Sequence, residues 1–103
     1  MTALLGNFPA SNHSSVFCFF VSAAVESSVM PRVMAVFAQL GLVPDKWHST
    51  VDDRAGGKLH IDIQMAGLNG NQAEHLAQSI RRIVMVESVL TSEKQPLETL
   101  AQK

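Results

Sequence analysis

Val25-Glu26-Ser27-Ser28-Val29-Met30-Pro31-Arg32-Val33-Met34-Ala35-Val36-Phe37-Ala38-Gln39-Leu40-Gly41-Leu42-Val43-Pro44 reads as a strand end, a tight turn, a helix and a stop. Ser27 or Ser28 offers an oxygen to the free N–H groups of a helix N-terminus. Pro31 falls in the first turn, where an N–H is not needed. Val29, Val33, Val36, Phe37 and Leu40 recur at helical spacing and form one apolar stripe. Gly41 suits a left-handed terminator, and Pro44 follows as a breaker. The spacing predicts a helix from about Ser28 to Leu40. A helix that begins where an apolar strand ends presents N–H groups to any nearby anion, so Ser27, Ser28, Val29 and Met30 are candidate ligand-binding residues, and Glu26 joins them as a group that would pair with an ammonium or repel a carboxylate.

Working outward, Val16 to Val25 is apolar on both faces, the pattern of a central strand. Asp45 to Asp52 is a weaker strand with Trp47, Thr50 and Val51, and residues 53–57 carry turn chemistry. From Lys58 to Met65 the alternation is strict, with Leu59, Ile61, Ile63 and Met65 on one face and His60, Asp62 and Gln64 on the other. Asn69 or Asn71 caps a second helix whose stripe is Ala73, Leu76, Ala77, Ile80, Ile83 and Val84. Glu74 is expected in its first turn, and Arg81 and Arg82 in its last. Val86 to Thr91 reads as a final strand. Residues 1–15 read as an arm in which Leu4, Leu5 and Phe8 are available to dock, 16–92 as the domain, and 93–103 as a polar tail with a short turn around Leu97 and Leu100.

The chain of 103 residues suffices for one domain with a modest core, and its 47% apolar content is that of a globular protein. With a net charge of −1 and no basic cluster beyond Arg81-Arg82, nucleic acid is not an expected partner. The apolar runs are too short to span a bilayer, so no membrane partner is expected. The single cysteine, Cys18, has no internal partner, which fits a reducing cytoplasm.

The element order is βαββαβ. Two one-sided helices and four strands bury their apolar faces together only if both helices lie on the same side of the sheet. Right-handed crossovers then give an α+β, ferredoxin-like arrangement: a four-stranded antiparallel sheet, with the first and third strands central and both helices on one face. The sheet's other face is open. In the first strand Phe17 and Phe19 point opposite to Cys18 and Phe20, so one pair must lie on that open face. Cys18 and Phe20 are therefore the candidate interface residues, and a homodimer through the open face or a sheet edge is expected.

Ser28-Val29-Met30-Pro31-Arg32-Val33 followed by Phe37-Ala38-Gln39-Leu40-Gly41-Leu42 resembles the strand–loop–helix segment of ACT domains. Ile83-Val84-Met85-Val86-Glu87-Ser88-Val89 is similar to the last segment of the acetolactate (acetohydroxyacid) synthase regulatory small subunit, an ACT protein. The resemblance implies a non-catalytic regulatory module without a cofactor, which associates in pairs and binds small ligands, often amino acids. It also implies a catalytic enzyme subunit as a partner, in branched-chain amino-acid biosynthesis. Ligand-binding members place Asn or Asp and then Gly in the loop before the helix; here Val25 and Ser28 stand at those positions. A serine Cβ limits backbone approach, so amino-acid binding is expected to be weak. The alternative is a free-standing homodimeric ACT protein that acts without a ligand.

Three other readings come from the residues alone. His48 and His60, on the two arms of a hairpin, with Asp62 beside them, form a metal set on which a metal-dependent enzyme would rest. An RNA-recognition module of this topology displays aromatics on both central strands, and Lys58 to Met65 has none. Acyl-phosphate hydrolysis needs an arginine in the first loop, and none occurs before Arg32.

Overall fold

The computed structural model describes residues 15–94. The expected docking of Leu4, Leu5 and Phe8, and the turn at Leu97 and Leu100, lie outside them. The elements are β1 (Val16–Ala23), α1 (Val29–Gln39), β2 (Lys46–Asp52), a 3-10 turn (Arg54–Gly56), β3 (Lys58–Ala66), α2 (Gly70–Arg81) and β4 (Val86–Lys94). One antiparallel sheet orders the strands β2-β3-β1-β4. This is the ferredoxin-like topology expected from the element order, with β1 and β3 in the middle.

β1 bonds to a neighbour on each side, from Val16 opposite Ala66 and Lys94 to Ala23 opposite Leu59 and Val86. Its alternation settles which phenylalanines face inward. Phe19, Val21 and Ala23 are wholly buried with Ile61 and Ile63, whereas Cys18 is half-buried and Phe20 exposed on the opposite face. Both helices cover the inward face: Val29, Val33 and Phe37 from α1, and Ala73, Leu76, Ala77 and Ile80 from α2. Phe19 meets Phe37 edge-on, with ring centroids 6.4 Å apart and planes at 85°. Trp47, on edge strand β2, packs half-buried against this core.

Local chemistry departs from the sequence reading where backbone demands outrank side-chain pattern. α1 does end at Gly41, whose φ of 72° favours glycine. The N–H groups of Gly41 and Leu42 return to the carbonyls of Ala38 and Phe37, which closes the helix in a Schellman turn. Leu40 therefore leaves the stripe and is exposed. α2 is capped by a reciprocal box: Asn69 Oδ1 accepts from the Gln72 N–H at 2.8 Å, and Gln72 Oε1 accepts from the Asn69 N–H at 2.8 Å. Glu74 sits beyond the first turn, where it accepts from Gln78 and pairs with Arg81. The helix stops at Arg81, so Ile83 only flanks the core and Val84 is exposed. β4 runs on to Lys94, past the Thr91 at which its β-branched pattern stops, because Ser92, Glu93 and Lys94 still find backbone partners in Cys18, Phe17 and Val16.

Two stability experiments follow from this packing. Phe37→Ala removes the ring that α1 lays against Phe19, and urea denaturation should show a loss of about 3–5 kcal/mol with an unchanged slope. Asn69→Ala should cost about 1 kcal/mol in the same measurement, while Asn71→Ala, outside the box, should be nearly silent.

Candidate functional site

At Ala23 the chain leaves the sheet, and the Ala24 N–H donates to the Met85 carbonyl at 3.0 Å. That bond holds the β1–α1 loop beside the loop between α2 and β4. Between them lies a cleft of about 240 Å³ lined by Ser28, Arg32, Ile83, Val84 and Met85. Ser28 and Arg32 share a helix face because they are four residues apart. Ile83, Val84 and Met85 form an apolar wall opposite them.

Ser28 is the residue before α1, but its hydroxyl does not cap the helix as the sequence suggested. Its Oγ donates to Glu26 Oε1 at 2.6 Å, and its N–H donates to the same oxygen at 3.2 Å. The Glu26 carbonyl accepts the Val29 N–H at 3.1 Å. Glu26 thus supplies the negative charge that a helix N-terminus favours. The hydrogen bond from the Ser28 hydroxyl, then that from its N–H, holds the Glu26 carboxyl below the usual carboxylate range; slight desolvation opposes this, and the Arg32 charge adds to it.

Of the five residues expected to bind ligand, only Ser28 lines the cleft. Glu26 and Ser27 are exposed in the same turn, Met30 is exposed on the helix surface, and the Val29 side chain is buried in the core. Of the first-turn N–H groups, those of Ser28 and Val29 are taken by Glu26 and Pro31 has none, which leaves Met30. Arg32 was overlooked as a site residue, although its spacing from Ser28 places it there. It makes no ion pair among the described residues. The apolar wall had no local signal, since it depends on β4 pairing with β1. Val25 stands over the β2–β3 hairpin instead: a Cβ on Gly57 would meet its Cγ2 at 3.3 Å.

A larger cavity, about 450 Å³, opens at the other end of the sheet beside Ser15, Leu68, Asn69 and Glu93. Its helix terminus is closed by the Asn69–Gln72 box, and Glu93 accepts a hydrogen bond from Ser15. Of these two, the smaller cleft is the better site, because it joins a guanidinium without an ion pair among the described residues, and a nearby carboxylate, to an apolar wall.

The supposed metal set is not assembled as expected. The register places His48 opposite Asp62, and Thr50, not His48, opposite His60. His60 is engaged elsewhere: its ring stacks on Phe20 at 5.3 Å, and Nδ1 lies 3.3 Å from Ser22 Oγ. Among the described residues no three histidine, cysteine or acidic side chains are grouped to hold a metal.

A family model described as an ACT-like domain matches residues 10–98. No curated protein gives a significant match. Among solved structures, the ACT domain from GTP pyrophosphokinase of Chlorobium tepidum superposes with a TM-score of 0.57 at 10% identity, over 77% of this chain and 99% of that one. The C-terminal domain of the MgtC protein from Mycobacterium tuberculosis does so with a TM-score of 0.59 at 11% identity, over 84% of this chain and 95% of that one. At such identities these two likenesses speak to the fold.

The Glu26 turn makes a prediction about pH. By NMR titration Glu26 should ionise below an ordinary glutamate, and Ser28→Ala should return it toward the ordinary value. Because the folded-state value is depressed, the turn's contribution is complete above the unfolded-state pKa and fades as pH falls through the folded-state one. An ordinary titration in the unmodified protein would count against the Glu26–Ser28 bond.

Proposed function

The chain belongs to the ACT-like domain family, and from that membership we propose that it is a non-catalytic regulatory module that takes a small amino acid in the cleft beside the start of α1. One observation carries this reading: Arg32, without an ion pair among the described residues, stands on the same short segment as the carboxylate of Glu26, with Ile83, Val84 and Met85 opposite. An amino acid's carboxylate suits the guanidinium, its ammonium suits Glu26, and an apolar side chain suits the wall. The affinity is low. The Ser28 Cβ limits backbone approach, Val25 offers no polar contact, and only the Met30 N–H remains free in the first turn.

The wall favours valine, leucine or isoleucine. The same Ile83 to Val89 segment carries the likeness to the acetolactate synthase small subunit, so the specific version is a cytoplasmic regulatory partner of that enzyme, working as a homodimer. A second reading has its own observation. Glu26 already occupies the donors of Ser28 and Val29, which suits a module that works through protein contacts without a ligand.

A thermal-shift series over the amino acids separates the two. At about 10 mM, a ligand of about 1 mM dissociation constant adds ~1.4 kcal/mol, a rise of several degrees in so small a domain. The expected outcome is a rise with branched-chain amino acids that Arg32→Ala removes. No shift with any amino acid would favour the ligand-free reading. Recovery of a large thiamine-dependent synthase with the tagged protein would test the enzyme partnership.

A further inference from the structure

Residues 1–14 have a composition at odds with a solvated tail. They include Leu4, Leu5 and Phe8 and not one Asp, Glu, Lys or Arg. Segments that stay in water are rich in charge and poor in aromatic groups. The family match starts at residue 10, so these three apolar residues are features of this chain outside the shared domain.

Two cavities adjoin where this arm begins. Ser15, only 4% exposed, lines the one of about 450 Å³. The other, of about 280 Å³, lies where the end of α1 comes beside the start of α2 and is lined by Leu40, Leu42, Leu68, Asn71, Gln72 and His75. Leu68 and Gln72 line both, so the cavities meet there. The second has three leucines for walls, of which Leu40 is 45% exposed, and an exposed polar rim of Asn71, Gln72 and His75.

We infer that the arm folds back along these cavities within its own chain and seats the Phe8 ring among Leu40, Leu42 and Leu68. The arm is bonded to Ser15, so it leaves the domain from the larger cavity. Phe8 stands seven residues before Ser15. An extended chain covers up to about 23 Å over that length, enough to pass the first cavity and enter the second. A cavity of about 150 Å³ holds a benzene ring, so the one of about 280 Å³ admits a phenylalanine side chain. Neither lining has a lysine or arginine, and its one carboxylate, Glu93, accepts from Ser15, which suits an uncharged occupant. Pro9 biases Phe8 toward extended backbone and brings no N–H that must be satisfied. The Gln72 amide uses its oxygen in the α2 cap, so its NH2 is the group offered to the arm's carbonyls. Leu4 and Leu5, further along the arm, are then within reach of Leu40 and Val43, the exposed apolar residues of the α1–β2 connection. The amino-acid cleft lies between other loops, so this docking neither needs it nor excludes it.

Nuclear Overhauser spectra of the full chain test the docking. The Phe8 ring protons should show contacts with the methyl groups of Leu40, Leu42 and Leu68. A sample that mixes labelled and unlabelled copies should place those contacts within one chain. Phe8→Ala should lower the melting temperature by about 5 °C, and so should Leu40→Lys, a change at an exposed position that the fold tolerates. In the double variant the two losses should not add, because both remove the same contact. Missing contacts, or a melting temperature indifferent to Phe8→Ala, overturn the proposal and leave the cavity to a free apolar ligand. Contacts only between copies overturn it in favour of arms exchanged within a dimer. Losses that add in full overturn the placement of Phe8 beside Leu40.

Discussion

Everything in this domain rests on β1 being paired on both sides and covered on one face. Among the described residues its backbone is the only one bonded to two strands that are both distant in sequence, β3 and β4. Its inward side chains, Phe19, Val21 and Ala23, are the floor on which both helices lie. Neither helix would hold alone: at 11 and 12 residues they are too short to persist in water without a packed face. The Phe19–Phe37 contact joins the sheet to α1 across a fully buried interface, where a lost ring leaves a cavity that close-packed neighbours cannot refill.

The same pairing builds the cleft. β1 ends at Ala23, and the bond from Ala24 to Met85 pins the start of β4 against the start of α1. Two segments some fifty residues apart thus become two walls. One is polar, because a helix terminus draws charge; the other is apolar, because Ile83 to Met85 has left α2 but not yet joined the sheet. Glu26 alters what the terminus can do. It accepts from the N–H groups of Ser28 and Val29 within the turn, and the guanidinium of Arg32 makes no ion pair among the described residues.

The two faces of the sheet differ in composition. The inner face spends its apolar residues on folding, and the outer face carries a graded mixture. Phe20 is shielded on one side by the stacked ring of His60, itself within reach of Ser22, so part of its apolar surface is already covered within the chain.

How much of this could be read from the chain differs from residue to residue. The strict alternation of Leu59 to Met65, the stripe from Val29 to Phe37 and the terminator Gly41 determined element type and order. Burial by two one-sided helices then left one topology, since local pattern and global packing agree. The sequence offered Ser27 or Ser28 as a cap, but the carboxylate of Glu26, two residues before Ser28, accepts the Ser28 hydroxyl within the turn itself. It offered five loop residues as a binding set, of which the fold buried Val29 and put only Ser28 in the cleft, and it said nothing of the wall at Ile83 to Met85. It suggested His48 against His60, whereas strand register set His48 against Asp62. For the apolar wall and the hairpin histidines, periodicity along the chain fixes which face a side chain shares, but not which distant side chain it meets. That depends on register and on which strand lies next to β1, and both are settled only when the backbone hydrogen bonds of the whole sheet are satisfied together.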